Sequence, residues 1–338
     1  MAADRRSGGA GGGEGAQAAP ASPARRNPGT PLRPDWIEPL HINAAAVERR
    51  AATLLRRRTV KREFQAAWLV RALQCIDLTT LSGDDTPARV RRLCAKARRP
   101  LRDDLVAALG LDDAPPAVGA VCVYPSLVPT AVRALEGSGI PVASVAAAFP
   151  SGLAPLATRL AEIRAATGEG ASEIDVVITR AHVLAQEWSA LYDEVQSMRA
   201  ACGAALMKVI LATGELSTLR NIHRASMVSM MAGADFIKTS TGKEATNATL
   251  PAGLVMVRAL RAFGEETGTA VGFKPAGGVR TAQDALSWLI LMKEEAGPAW
   301  LRPDRLRIGA SGLLTDIERQ IEHFVTGRYA SAWHHAVP

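Results

Sequence analysis

Three lysines stand inside three successive apolar, strand-like runs, each close to the point where a loop takes over: Lys208 in LMKVILATG, Lys238 in DFIKTSTGK and Lys274 in VGFKPAGG. Lysine is rarely fully buried unless it is paired, so three at equivalent positions are hard to assign to packing alone. A lysine removed from water and set beside another cation has a lowered pKa and can stand as a free amine near neutral pH. Imine formation on a carbonyl substrate requires such an amine. Two acids occupy similar strand-end places, Asp77 in CIDLTT and Asp175 in EIDVVI. A carboxylate with ordered water could move protons for this chemistry. The competing interpretation is a buried structural salt-bridge network, which suits one lysine–aspartate pair better than three lysines with two aspartates. The residue pattern leaves open which lysine attacks.

A second signal concerns phosphate. The turns TSTGK (239–243), PAGGVR (275–280) and GASG (309–312) follow three successive strand candidates. Gly277 and Gly278 let backbone approach an anion closely, and Gly242, Lys243, Arg280, Ser311 and Gly312 add donors. The STGK string lacks the earlier glycine of GxxxxGK[ST], which argues against a nucleotide P-loop. The six histidines show no metal-ligand spacing and are read as surface or helix residues; no cofactor is expected. Cys122 and Tyr124, in VCVYP, fall at another strand end, and the Cys122 thiol is read first as a small hydrophobe. Tyr329, in TGRYASAW, is a candidate to reach over the cavity mouth.

Positioning these groups takes a parallel sheet. Apolar runs recur at 74–79, 119–124, 142–148, 173–178, 206–212, 235–239, 270–274 and 305–310, separated by stretches of helical periodicity such as 182–202, 217–233 and 281–297. Strands alternating with helices imply parallel pairing, and eight such units predict an α/β fold, a (β/α)8 TIM barrel over 70–328. A doubly wound open sheet competes, but its GxGxxG mark is absent after the first strand. In a barrel the catalytic groups gather at the C-terminal strand ends, and phosphate binds after strands seven and eight. Residues 36–69 read as a helical lead-in and 329–338 as a C-terminal tail. The Gly/Pro/Ala-rich stretch 1–35 is expected to be disordered.

The 338 residues are 48% hydrophobic and 22% charged, enough for a large core. Of the net charge of +7, most lies in the first 60 residues, where ten arginines face five acids. That tail is read as solvated, and nucleic acid is not expected as a partner; an idle barrel binding nucleic acid through it is the distant rival. The four cysteines show no CxxC or zinc pattern, which suits free thiols in a reducing, cytoplasmic setting. No run is long enough for a membrane span, and no secretory signal is evident.

The stretches IDLTTLSGDDT, VCVYP, PVASVAAAFPSG, EIDVVI, MKVILATGEL, DFIKTSTGKEATNAT, GFKPAGGVRTAQDA and RIGASGLL together resemble the deoxyribose-phosphate aldolase family over roughly 60–328, and the ending SGLLTDIERQIEHFVTGRYA resembles its longer animal-type form. The resemblance implies a TIM barrel that reversibly cleaves 2-deoxy-D-ribose 5-phosphate to acetaldehyde and D-glyceraldehyde 3-phosphate without metal. It implies Lys238 as the Schiff-base lysine, Lys274 as the lysine that lowers its pKa, and Asp175 as the proton-relay carboxylate. Asp77, Thr79, Cys122, Lys208 and Thr241 fall on the substrate side, and Gly242, Lys243, Gly277, Gly278, Arg280, Ser311 and Gly312 on the phosphate side. A homo-oligomer is expected. Two departures stand out: the short bacterial forms read GASS where this chain reads GASG, removing one hydroxyl at Gly312, and nine residues follow Tyr329. Another lysine aldolase or a transaldolase-like barrel acting on a different sugar phosphate is the nearer rival.

Overall fold

The computed structural model describes residues 26–57, 59–331 and 334–336. Eight strands form one sheet: β1 (Ile76–Thr79), β2 (Ala120–Val123), β3 (Val142–Ala146), β4 (Glu173–Val177), β5 (Leu206–Ile210), β6 (Phe236–Lys238), β7 (Gly272–Lys274) and β8 (Ile308–Ala310). Neighbours pair in parallel in the order β7-β6-β5-β4-β3-β2-β1-β8. Parallel bridges Phe273↔Leu306 and Ala276↔Gly309 join β7 to β8 and close the barrel. All eight strands fall inside the stretches marked by the sequence, trimmed at their ends to three to five residues.

The helices between them have local causes. Thr218, Thr249 and Thr281 each cap a helix by accepting the N–H three residues on, and Thr281 forms a reciprocal capping box with Asp284. Gly268 ends the helix Leu250–Thr267 with a φ of 68°, a conformation glycine adopts without Cβ strain. The apolar faces of these helices and the outward faces of the strands form the main core, from Leu69 and Leu73 through Met256 and Leu289 to Ile321. A separate, smaller cluster of Cys122, Ala143 and Val145 lies inside the barrel, edged by Leu81, Tyr124 and Phe149.

The N-terminal segment departs from expectation. Residues 1–25 of the expected disordered tail lie outside the described residues. From Arg26 on the chain is fixed to the barrel. Asn27 is buried, its N–H donates to Asp235 Oδ1 (2.9 Å), and its Nδ2 donates to the carbonyls of Met230 and Ala234. Gly29, with φ 73°, passes so close that a Cβ would stand 2.7 Å from the Met231 carbonyl oxygen. Composition counts apolar surface; it does not register hydrogen bonds to a loop two hundred residues away. The lead-in holds the helix Ala44–Arg57, tied to Glu295 through Arg50 (2.8 Å). The expected boundary at 69/70 falls within one continuous helix, Arg62–Gln74, that feeds β1.

Candidate active site

The barrel interior holds the expected lysines and aspartates, at three depths. Lys238 and Lys274 are the last residues of β6 and β7 and are register partners. Lys208 pairs in register with Asp175, and Ile210, two residues on, is level with Lys238. Lys208 therefore lies about 6–7 Å deeper, at roughly 3.3 Å per residue. The expectation that Lys208, Asp77 and Asp175 sit at strand ends is corrected: they are mid-strand groups under the pair at the top. Inward-facing side chains of a barrel stack in such layers.

Asp175 is the hub. Its Oδ2 accepts from Lys238 Nζ and Lys274 Nζ, both at 2.7 Å, and its Oδ1 accepts from Lys208 Nζ at 3.0 Å. Lys274 also donates to Asp77 Oδ2 (2.5 Å). Lys208 Nζ lies 3.3 Å from Asp77 Oδ2 and 2.6 Å from Glu173 Oε2. Below, Arg307 donates to Asp77 Oδ1 (2.6 Å) and with both terminal nitrogens to Glu173 (3.1 and 2.8 Å). Glu173 and Arg307 were missed in the sequence because SEIDVV and DRLRIG place them where a strand begins, a position that normally reads as solvent-facing charge.

The three lysines differ in their company. Burial opposes the charged form of each, but Lys208 faces three carboxylates and Lys274 two, so both are held above the ordinary lysine value. Lys238 faces Asp175 alone, and burial together with the Lys274 cation holds it below the ordinary value. Burial would raise the Asp175 carboxyl, yet Lys208, Lys238 and Lys274 reverse this and hold it well below 3.8. Asp77 is likewise lowered, with Lys208, Lys274 and Arg307 outweighing burial.

Beside Lys238 lies the small apolar cluster. The Lys238 Nζ is 5.9 Å from the Phe149 ring centre. Phe149 is brought there by a turn in which Ala147 and Ala148 both have left-handed φ, 63° and 58°, with the Ala148 N–H held by Glu162 (2.7 Å). Cys122 is fully buried in this cluster, and its thiol is pushed up to about 11, mainly by desolvation. Such a thiol is inert at neutral pH. Thr79 donates its hydroxyl to the Asp77 carbonyl (2.7 Å).

The three glycine turns do converge. A Cβ on Gly242 would stand 3.8 Å from the Gly277 Cα, and Ala276 bridges Gly309. Gly242, Gly277 and Gly278 have φ of 86°, 79° and 82°, the left-handed region that favours glycine. Not all expected donors face outward. The N–H groups of Thr241 and Gly242 donate to the Glu244 carboxylate (2.9–3.1 Å), a partner the sequence did not suggest, and the Thr241 hydroxyl accepts from the Lys243 N–H. Lys243 Nζ donates to the Leu81 carbonyl (3.1 Å). The Arg280 N–H donates to Asp284 while its side chain is exposed. Ser311 and Gly312 are exposed at the start of the helix Leu313–Thr326, which no side chain caps; a helix start of this kind favours an anion. Tyr329 is not at the mouth. It follows the far end of that helix, about 21 Å along at 1.5 Å per residue, where its ring stacks on His323 at 4.0 Å.

A closed barrel with a desolvated amine among carboxylates and glycine turns beside it defines an aldolase-type enzyme. Residues 71–314 match the DeoC/LacD family aldolase description, and the chain belongs to that family. It is 58% identical over 314 residues to the deoxyribose-phosphate aldolase of Homo sapiens, covering 92% of this chain and 98% of that one. Among solved structures, a putative deoxyribose-phosphate aldolase from Toxoplasma gondii ME49 superposes with a TM-score of 0.66 at 25% identity, covering 77% of this chain and 98% of that one. The deoxyribose phosphate aldolase of Aeropyrum pernix, described as having a unique tetrameric structure, gives a TM-score of 0.56 at 25% identity over 83% of this chain and 99% of that one.

Proposed function

We propose that the chain cleaves 2-deoxy-D-ribose 5-phosphate, reversibly, to acetaldehyde and D-glyceraldehyde 3-phosphate, with Lys238 as the Schiff-base lysine. The observation that carries this is the contrast among the lysines: Lys238 alone of the three is shifted toward the free amine, and it stands at the top of the cluster, 5.9 Å from the ring of Phe149 at the edge of a small apolar cluster. The Nζ adds to the C1 aldehyde of the open-chain sugar, and loss of water gives the protonated imine, an electron sink. Removal of the C3 hydroxyl proton then breaks the C2–C3 bond. Carbons 3–5 leave as D-glyceraldehyde 3-phosphate, and carbons 1 and 2 remain on Lys238 as an enamine. Protonation at C2 and hydrolysis release acetaldehyde and the amine.

Asp175 receives the C3 proton through water, with Lys274 assisting. Asp175 contacts the Nζ groups of Lys238 and Lys274 at 2.7 Å, so a proton taken up by water beside it can be shared along that hydrogen-bonded set. Carbon 2 carries no hydroxyl, which suits a neighbourhood of Cys122, Ala143, Val145 and Phe149. At the other end of the substrate, the phosphate is assigned to the turns of Gly242, Lys243, Gly277, Gly278, Arg280, Ser311 and Gly312, with the uncapped helix start as its strongest feature.

None of the described helices is long and apolar enough to cross a membrane, and the four cysteines are free and buried, which supports a reducing, cytoplasmic location. The tetrameric relative supports self-association, checked by sedimentation. The central test is borohydride trapping with acetaldehyde followed by peptide mass spectrometry. A reduced two-carbon adduct on Lys238 is expected; no adduct on any lysine of folded protein would overturn the reading.

A further inference from the structure

The cluster does not balance if every member is charged. Lys208, Lys238, Lys274 and Arg307 supply four buried cations, and Asp77, Glu173 and Asp175 supply three buried carboxylates. An uncompensated charge in such a place is costly, and the group that can shed it most readily is the cation with fewest carboxylates. That is Lys238. Arg307 cannot shed its charge, because a guanidinium is always protonated. Its planar fork is anchored on Asp77 and on both oxygens of Glu173.

We propose that Arg307, at the floor of the barrel, is a positioning residue that favours loss of the Lys238 proton by supplying the fixed fourth charge, with Glu173 as its counterweight. Arg307 touches no reacting atom. It engages Asp77 and Glu173 from below, so that Asp175 is left to the lysines. The charged and titratable groups around Lys238 come from every side: Asp77 on β1, Cys122 on β2, Asp175 on β4, Lys208 on β5, Lys274 on β7, and Glu173 and Arg307 beneath. From β3 come only the apolar Ala143 and Val145. Glu173 and Arg307 are themselves buried, and a cleft borders them. This cleft, of about 1120 Å³ on the face opposite the glycine turns, is lined by Glu173 and Arg307 together with Arg26, Arg71 and Arg302.

Charge balance makes signed demands. Arg307→Leu leaves three cations and three carboxylates, so Lys238 is retained as an ammonium and its titration moves up. Glu173→Gln leaves four and two, and the titration moves down. The double variant has three and two, restoring the natural surplus of one, and returns toward the parent value. Arg307→Lys keeps the charge and stays near the parent. Each single shift is expected to be about one pH unit, the size of one unit charge acting through a partly screened interior.

The inference rests on Lys238 as the imine-forming lysine, but its test does not. Competitive labelling of Lys238 by dilute acetic anhydride across pH, read by peptide mass spectrometry, reports the amine directly in full-length protein. Borohydride trapping with acetaldehyde on the same samples reads the imine separately. Opposite shifts in the two single variants, cancelling in the double, support the proposal. Shifts of the same sign, or none, in folded protein overturn it even where trapping succeeds. Trapping that fails at every pH overturns the Schiff-base reading and leaves the labelling result to decide this one. Should Arg307→Leu not fold, the downward shift in Glu173→Gln remains decisive: its absence sinks the idea.

Discussion

Inside the barrel, one carboxylate, Asp175, accepts from the Nζ of three lysines within 3.0 Å; at the rim, the turns of Gly242, Gly278 and Gly312 are exposed, and the helix Leu313–Thr326 starts without a side-chain cap. The interior fixes protonation states by crowding opposite charges where water cannot screen them. The rim handles charge with dipoles and conformation, using φ values that glycine tolerates and leaving a helix start uncapped. The division predicts that interior changes act on kcat and stability, while rim changes act on KM for phosphorylated substrates.

The largest effect is expected at Lys238. Lys238→Ala removes the covalent step, and turnover should fall by at least about 10⁴-fold. Its stability should hold, because Lys208, Lys274 and Arg307 then balance the three carboxylates. Activity close to the parent would end the separation of roles, and a large drop in Tm would show that the cluster needs all four cations.

Asp175→Asn should act on both properties. Loss of proton transfer lowers kcat by about 10²–10⁴-fold, and leaving buried ammoniums short of a partner costs about 3–5 kcal/mol. The pH dependence has a definite sign. Because the folded-state pKa of Asp175 is depressed, its stabilisation is present above the unfolded value of about 3.8 and is lost as pH falls below it. Urea melts of parent and variant should therefore differ most near neutrality and converge on acidification below that value. A gap that widens in acid would contradict the assigned direction.

How far these two regions could be read from sequence differs for a physical reason. Lys208, Lys238 and Lys274 stand out because a charge within an apolar run contradicts its surroundings, and the glycine turns carry motif spacing. Glu173 and Arg307 are part of the same network but sit at strand starts, where charge is ordinary. Phe149 reaches Lys238 only through two strained alanines, and Glu244 turns back to cap its own loop; both depend on backbone geometry that residue types do not encode. Asn27 holds the chain by bonds to residues far away in sequence. Tyr329 looked like a lid only until the direction of its helix was known.

At the rim, Gly277→Ala adds a Cβ 2.7 Å from the Asn247 side chain at a φ of 79°. A left-handed residue with a Cβ costs about 1–2 kcal/mol, so KM for the phosphorylated sugar should rise roughly tenfold with kcat little changed. A fall in kcat alone would mean that this turn supports the lysines and not the phosphate.

The smallest effect is the most discriminating. Gly312 has φ −69° and open space where a Cβ would go, so serine fits there without strain. Gly312→Ser places a hydroxyl at the uncapped start of the helix Leu313–Thr326, the position where the short family members carry one. A serine at an N-cap changes helix stability by only a few tenths of a kcal/mol relative to glycine, so Tm should scarcely move. A hydrogen bond to phosphate is worth about 0.5–1.5 kcal/mol, up to 3 for a charged partner, and KM for 2-deoxy-D-ribose 5-phosphate should fall several-fold. Unphosphorylated 2-deoxyribose supplies the control, since its KM should not change. A gain shared by both sugars would place the hydroxyl against the sugar itself, and no gain with either would move the phosphate away from this helix and toward the turns of Gly242 and Gly278.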